Sequence, residues 1–421
     1  MDNLQSGPYP LHMQNKPTIR FLDRTTPPHI FTLIVLAGMS AMVMNMFLPS
    51  LPQMAQHFGV TDGVMALSVP LFLYVSAVLQ IFIGPISDRF GRRPIILIGI
   101  AIFMFGTIGC ILATDATTFL IFRMVQAGVA VCMVLSRAVI RDSFDQEQSA
   151  SMLAYVTMGM AVVPMISPAI GGLLDEFFGW KANFWMFLLV GGALFTLVWR
   201  DLGETVKPSG LTLTQQFKEY PELLRSPRFW GYCLASAFSS GAFFAYLGGG
   251  PFVGSVVFGM SPKWVGIFFG APAVGYFAGN WYTGRNAQRL GVNKLILWGA
   301  LAVSAGTTLM LVIFWIGFGS ATTFFGLMTI IGLGNGMVIP NATAGMLSVR
   351  PHLAGTASGL GGAIMIGGGA CLASLAVFLL KPETGAYPLI LIMMFTSMAA
   401  VVAILSVYRR EARLKVSGTK H

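Results

Sequence analysis

Four charged side chains stand close together in the segment Gly84–Arg93, between two long apolar runs. They are Asp88, Arg89, Arg92 and Arg93. A carboxylate among arginines forms strong charge-assisted hydrogen bonds. It can also bind the positively polarised N-terminus of a helix, an interaction of roughly 0.3–2 kcal/mol. The chemistry that this segment can supply is a reversible electrostatic contact.

A second candidate is Arg123, which lies within an apolar run. An ionisable residue inside a membrane is costly and is a functional-site hypothesis by default. Gln126 follows one helical turn later, and Asn45 lies at a similar depth in the first apolar run. We expect these side chains to line a cavity that handles substrate or protons. The alternative is that Arg123 is a structural tie to Gln126 or to backbone carbonyls.

The elements that position these residues are predicted to be membrane-spanning helices. Of the 421 residues, 55% are hydrophobic and 10% are charged, whereas soluble domains carry about 25% charged residues. Apolar windows of roughly 20 residues, the length that crosses a bilayer core as a helix, recur along the chain. We predict an all-α integral membrane protein with twelve spans: 28–50, 64–86, 94–113, 116–138, 149–173, 182–200, 229–250, 263–284, 293–316, 321–345, 354–379 and 386–408.

Charge asymmetry predicts the orientation of these spans. If the N-terminus is cytoplasmic, 22 of the 26 Lys and Arg residues fall in cytoplasmic loops and tails or at the adjoining ends of the spans. Lys181, Lys263 and Lys381 fall on the other side, and Arg123 is the only Lys or Arg assigned inside a span. This is the positive-inside pattern. The net charge of +10 therefore faces anionic lipid, and no nucleic-acid partner is expected.

The longest polar interval, 201–228, divides the spans into two groups of six. We predict a cytoplasmic tail over 1–27, a six-helix bundle over 28–200, a cytoplasmic linker over 201–228, a second bundle over 229–408 and a cytoplasmic tail over 409–421. A basic segment ending in glycine follows the second span of each half, at Gly91 and Gly291. Two pseudo-symmetric bundles with a substrate site between them form a general transporter plan.

The fifth span contains a run rich in proline and glycine, which includes Pro164, Pro168, Gly171 and Gly172. Small residues let membrane helices approach closely. The run therefore indicates helix packing with a kink, a flexible contact between the halves that controls opening, or both.

Several segments resemble a known family. Gly84-x-x-Ser87-Asp88-Arg89-x-Gly91-Arg92-Arg93 resembles the loop 2–3 signature of the major facilitator superfamily. Arg123-x-x-Gln126-Ala127 is similar to its fourth-helix signature, and the fifth-span run followed by Gly179-Trp180-Lys181 resembles the drug-antiporter signature. Three further segments are similar to the Bcr/CflA drug-resistance branch: Phe47–Pro52, Arg137–Asp142, and Pro340–Thr343 with Ala354–Ser358.

The resemblance covers nearly the whole chain. It implies a monomeric carrier in a bacterial inner membrane that exports small molecules by alternating access against proton entry. No cofactor besides the proton gradient and no metal is expected. The four cysteines are scattered without metal-ligand or redox spacing.

In such a fold, Asp88 can meet the start of span 11 near Gly355 and latch the two halves together at the cytoplasmic end. The alternative is that the arginines only fix orientation. We assign the latch to Gly84, Asp88, Arg89, Gly91, Arg92, Arg93, Arg141 and Asp142.

Asn45 departs from the branch, which usually has an acid there. All 16 Asp and Glu residues are assigned to loops, tails or helix ends, so a buried proton-carrying carboxylate is not expected inside the spans. The pathway candidates are Asn45, Arg123, Gln126, Tyr246 and Asn341. We expect an exporter of small, moderately hydrophobic compounds and not an enzyme. The alternative is a carrier for one neutral or anionic metabolite with weak or no proton coupling.

Overall fold

The computed structural model describes residues 19–144, 146–205, 220–350 and 354–416. Within these ranges the regular structure is helical and no strand occurs. The predicted all-α fold class is confirmed.

The first half contains the helices α1 to α9 within the described residues. Their bounds are Ile30–Asn45 (α1), Leu51–Phe58 (α2), Asp62–Ala66 (α3), Ser68–Phe90 (α4), Arg92–Leu112 (α5), Ala116–Val125 (α6), Ala130–Ser143 (α7), Gln146–Phe178 (α8) and Lys181–Asp201 (α9). Short 3₁₀ turns at Leu48–Ser50 and Gln126–Val129 join α1 to α2 and α6 to α7. The first, second and fourth predicted spans are thus each built from consecutive helical pieces.

The second half contains the helices α10 to α17 within the described residues. Their bounds are Tyr220–Leu224 (α10), Pro227–Phe252 (α11), Pro262–Phe269 (α12), Ala271–Leu290 (α13), Val292–Trp315 (α14), Ala321–Val349 (α15), Ala354–Leu379 (α16) and Tyr387–Val416 (α17). A π-helical turn, Val253–Val257, extends α11, and the 3₁₀ turn Pro382–Thr384 precedes α17.

Ten helical stretches in the described part of the chain are long and apolar enough to cross a membrane. The two remaining predicted spans coincide with α8 and with α12 followed by α13. The predicted linker 201–228 falls largely on residues 206–219, which lie outside the described residues, as do residues 1–18 and 417–421 of the predicted tails.

The turn between α4 and α5 consists of Gly91, which has φ +96°. Few residues other than glycine adopt this backbone conformation. A sharp turn here brings the end of α4 and the start of α5 together, so the charged residues of both helices share one end of the bundle. We call this end, marked by Phe90–Arg93, the basic end. The opposite end is marked by the starts of α9 and α12, at Lys181 and Pro262.

The two halves meet along two helix pairs. Helix α4 of the first half packs against α16, and α8 packs against α12. The hydroxyls of Tyr74 and Ser374 lie 3.3 Å apart across the first pair. Nearer the basic end, Ala77 faces Gly367 and Gln80 faces Gly362. We call the whole interface between the two halves the seam.

Candidate functional site

Arg92 is the centre of the charged cluster at the basic end. Its guanidinium lies 2.5 Å from the carboxylate of Asp88 and 3.0 Å from that of Asp142, and it donates to the Ser87 hydroxyl. The residue is only 3% exposed. One buried cation therefore ties α4, α5 and α7 together within the first half.

Glu204 stabilises the start of α5. Its carboxylate accepts hydrogen bonds from the backbone N–H groups of Arg92, at 2.9 Å, and Arg93, at 3.3 Å. A carboxylate at a helix N-terminus compensates the partial positive charge there. Arg93 in turn donates to the carbonyl of Trp199. Sequence reasoning missed Glu204, since nothing in the local pattern shows that the end of α9 returns to the start of α5.

The other predicted latch residues have looser surroundings. Arg89 lies 5.3 Å from the Phe90 ring, and Arg141 lies 3.8 Å from Asp142 with its side chain largely exposed. A Cβ added to Gly84 would meet nothing within 4 Å. Residues 351–353 and the side chains at the start of α16 lie outside what the structure describes, so the contact between Asp88 and α16 stays a prediction.

Arg123 is enclosed in the core of the first half. Its guanidinium lies between the rings of Phe47 and Phe72, 4.2 Å and 4.4 Å from their centroids. It donates to Gln126 Oε1 at 2.8 Å and to the carbonyl of Val43 at 2.9 Å, and it is 1% exposed. The structure places Arg123 as a tie between α6 and the end of α1, not on a cavity wall.

The remaining pathway candidates are buried as well. Asn45 donates to the carbonyl of Ala41, and Gln126 donates to the Thr107 hydroxyl, both within the first half.

Two candidates belong to the second half. Asn341 donates to the carbonyl of Met337 at 2.7 Å. Tyr246 stacks on Phe269 at 4.2 Å and is fully buried, and its hydroxyl has no hydrogen-bond partner in the described part of the chain. The structure does not bring the pathway candidates of the two halves together into one site.

Arg137 is a cation of the first half that faces the second half. It lies in α7 about two turns before the basic end, and it interacts electrostatically with Tyr276 of α13, in the other half. Tyr276 also interacts with Asn280 on its own helix. The Arg137 side chain lies deep within the protein, yet it retains accessible surface where it faces the opposing half. The expectation that Arg123 is the only cation inside a span was wrong, because Arg137, Arg200 and Lys294 also fall within the predicted bounds, near span ends.

Close packing at the opposite end explains the glycines of the proline- and glycine-rich run in the fifth span. A Cβ at Gly171 would overlap the carbonyl oxygen of Met46, in the same half. A Cβ at Gly172 would overlap the carbonyl oxygen of Pro262, in the other half. Pro164 and Pro168 lie inside the continuous helix α8, and a Cβ at Gly266 would overlap the carbonyl of Pro168. The run thus provides backbone-to-backbone contact between α8 and α12.

A buried carboxyl lies beside this contact. Asp175, in the last turn of α8, is 3% exposed. Ser50 of the first half interacts with it, and the Asn183 amide donates to Ser50 at 3.0 Å. Asp201 is buried too, but it accepts hydrogen bonds from Leu22, His29 and Thr32. The sequence assigns both acids to helix ends, and this assignment did not reveal that the folded protein buries their side chains.

Comparisons with known proteins decide the family. The model of the Major Facilitator Superfamily matches residues 33–374. The chain belongs to the major facilitator superfamily. As the motifs predicted, it resembles drug-resistance members. It is 31% identical to Multidrug resistance protein D of Escherichia coli (strain K12), over 89% of this chain and 94% of that protein.

Another relative of this transporter is the Bicyclomycin resistance protein homolog of Haemophilus influenzae, 30% identical over 90% of this chain and 95% of the relative. The crystal structure of peptide transporter POT in complex with sulfate superposes with a TM-score of 0.73 at 14% identity, covering 91% of this chain and 94% of that one. The chain is a membrane transporter of small molecules and not an enzyme.

The described residues of the transporter contain no group of three or more His, Cys, Asp and Glu side chains that could hold a metal ion. Cys110, Cys132 and Cys233 are buried, and Cys371 is exposed.

Proposed function

We propose that this transporter exports small, moderately hydrophobic compounds from the bacterial cytoplasm across the inner membrane. Its similarity along nearly the full length to proteins named for multidrug and bicyclomycin resistance supports this substrate class. The basic end is assigned to the cytoplasm with both termini, because Lys and Arg residues concentrate in cytoplasmic segments. The protein acts as a monomer in the lipid bilayer and has no nucleic-acid partner.

The observation that carries this proposal is the unequal packing of the seam. At the opposite end, α8 and α12 touch through their backbones at Gly172 and Pro262. Nearer the basic end, Arg137 lies between the halves and retains accessible surface while it faces Tyr276. A carrier that is sealed outside and hydrated on the cytoplasmic side is in the state that accepts a compound for export.

The substrate subsite proposed here is the stretch of the seam around Arg137, Tyr276 and Gln80. Arg137 supplies a cation, Tyr276 an aromatic face with a hydroxyl, and Gln80 an amide. Apolar walls with a few placed polar groups are typical of small-molecule sites. The five buried pathway candidates do not line this subsite. Their proposed role is to stabilise the packing of the helices around it.

Proton entry is the proposed energy source, as the family resemblance implies. Exchange of a compound for protons requires carboxyl groups that reach water in at least one state of the cycle. Asp88 and Asp142 at the basic end and Asp175 at the opposite end are acids close to the seam or to its ends. Because these acids lie at the two ends of the bundle, proton binding is proposed to be linked to transport at those ends rather than in the middle of the membrane.

One observation favours a second candidate function, a carrier for a specific anionic metabolite. The Arg137 guanidinium attracts an anion, and Tyr276 is the described titratable side chain that interacts with it. Such a carrier would transport carboxylates or phosphates and ignore bicyclomycin.

Both candidates are tested by expressing the protein in a bacterial host that lacks its own efflux pumps. We expect expression to lower the cellular accumulation of bicyclomycin and to raise the concentration that inhibits growth. The matched control is the same protein with Asp88→Asn, expressed to the same level. Unchanged accumulation of bicyclomycin and of a panel of uncharged antibiotics would overturn the drug-export proposal.

A further inference from the structure

Asp175 is a buried acid that lies where the two halves close. It follows Gly171 and Gly172 by one helical turn, so it points between the directions that these two glycines face. Gly171 faces the end of α1 in its own half, and Gly172 faces the start of α12 in the other half. Helix α12 also packs against the turn Leu48–Ser50. Asp175 therefore lies where α8, this turn and α12 meet.

The surroundings of Asp175 do not compensate a negative charge. Ser50 is the described side chain that interacts with it, and neither carboxyl oxygen reaches hydrogen-bonding geometry with a described residue. At this end of the bundle the neighbouring elements α2, α8, α9 and α12 carry four other titratable or charged groups: His57, Glu176, Lys181 and Lys263. In the described part of the chain none of these four interacts electrostatically with Asp175.

A charged carboxylate in such a position is costly, because it has lost its water and gained neither a counter-ion nor sufficient hydrogen bonds. The neutral, protonated carboxyl is the form that tolerates burial there. Asp115, at the same end of the bundle, shows the contrast. It is exposed, and hydrogen bonds from Thr118 lower its pKa, so it remains ionised.

We propose that Asp175 is a proton-binding site that holds the opposite end closed. It carries one proton while α12 covers it, and it releases that proton to water when α12 moves away and the carboxyl is hydrated. The closed state thus binds the proton more tightly than the open state. By linkage, acidification on this side shifts the protein toward the closed state, and alkalinisation shifts it toward the open state.

This inference relies on the proposed function only in assigning the opposite end to the outside of the cell. The proton site and its effect on closure are measurable in purified protein without any transport. A protein that exports no drug would still show both, so a failure of the drug-export proposal and a failure of this one are distinguishable.

The first test is infrared difference spectroscopy of the lipid-reconstituted protein, titrated from about pH 8 to about pH 5. Ordinary surface carboxylates have pKa values below this range and remain largely ionised in it. We expect the C=O stretch of a protonated, buried carboxyl to grow in the wild type and in Asp115→Asn. We expect the same band to be missing in Asp175→Asn. A band of undiminished size in Asp175→Asn would overturn the proposal.

The second test measures closure with spin labels at positions 64 and 383, which lie on opposite halves at this end, after the four native cysteines are replaced by serine. Acidification is expected to shift the wild-type distance distribution toward the shorter separation. Asp175→Asn, which mimics the neutral carboxyl, is expected to stay at the shorter separation at every pH, whereas Asp175→Glu keeps the pH response. A pH response in Asp175→Asn equal to that of the wild type would overturn the proposal.

Discussion

The carboxylate of Asp88 lies 2.5 Å from the guanidinium of Arg92, one turn of chain away across Gly91. Arg92 also binds Asp142, so two acids of the first half share this one cation. A latch that reaches the second half therefore has to compete with this ion pair for Asp88. Such competition makes the contact reversible, which a carrier that alternates between two states requires.

Replacing Arg92 with alanine is expected to destabilise the first half. The change removes the shared cation of Asp88 and Asp142, and breaking a buried pair from one side costs about 3 kcal/mol or more. The measurement is the thermal unfolding midpoint of the protein in detergent. Arg89→Ala is the matched control, because Arg89 lies in the same turn and has only a ring contact at 5.3 Å. Equal midpoints for the two variants would contradict the role of Arg92.

Asp88→Asn is expected to reduce transport while the protein still folds. The amide keeps the shape of the side chain but loses the charge that Arg92 and a helix N-terminus attract. Drug accumulation in cells and the amount of protein in the membrane are measured together. Full transport at an unchanged expression level would remove the latch from the account.

Arg123→Ala is expected to act through folding and not through substrate affinity. Arg123 fills the space between Phe47 and Phe72 and satisfies the Val43 carbonyl, so its loss leaves a cavity and an unpaired acceptor. We expect a lower unfolding midpoint and little folded protein in the membrane. A stable Arg123→Ala protein with an altered KM for the transported compound would instead place Arg123 on the substrate path.

Arg137→Gln is expected to change substrate handling more than the unfolding midpoint, because the side chain retains accessible surface within the seam. Binding of anionic compounds should weaken by about 1–2 kcal/mol, roughly ten-fold, when a charge-assisted hydrogen bond is lost. Arg141→Gln is the matched control on the same helix, with its side chain exposed at the basic end. Equal affinities in both variants, measured by calorimetry across neutral and anionic probes, would argue against the Arg137 subsite.

Gly172→Leu is expected to force the opposite end apart. Even a Cβ at this position overlaps the Pro262 carbonyl, so a larger side chain cannot be accommodated while α8 and α12 touch. Labels at positions 64 and 383 should report a longer separation, and export should fall. Gly326→Leu is the control, since a Cβ at this exposed position meets nothing within 4 Å. An unchanged separation in Gly172→Leu would show that α8 and α12 do not form the closure.

The helices and the charged turn could be predicted because their signals are local. A run of about 20 apolar residues is visible in the sequence, and Gly91 between charged residues marks the turn directly. The site was harder to predict because it depends on contacts between distant segments. The enclosure of Arg123 requires rings from α4 and from the residue preceding the Leu48–Ser50 turn, which the pattern around Arg123 does not contain.

The environments of Asp175 and Arg137 were also difficult to predict from the sequence. Hydropathy places Asp175 at a helix end, where an acid is ordinarily hydrated, but α12 from the other half helps to cover it. Arg137 lies near the end of its span, where a cation usually reaches the membrane surface, yet it faces Tyr276 across the seam. In both cases the packing of one half on the other decides the environment, and no short segment encodes that packing.

The central claim is that the chain exports a compound by alternating access driven by proton entry. Its most direct test is the uptake of radiolabelled bicyclomycin into everted inner-membrane vesicles with an imposed proton gradient. We expect saturable uptake that collapses when the gradient is dissipated and that is reduced in Asp88→Asn. Uptake that does not saturate, or that is indifferent to both the gradient and the Asp88 substitution, would contradict it.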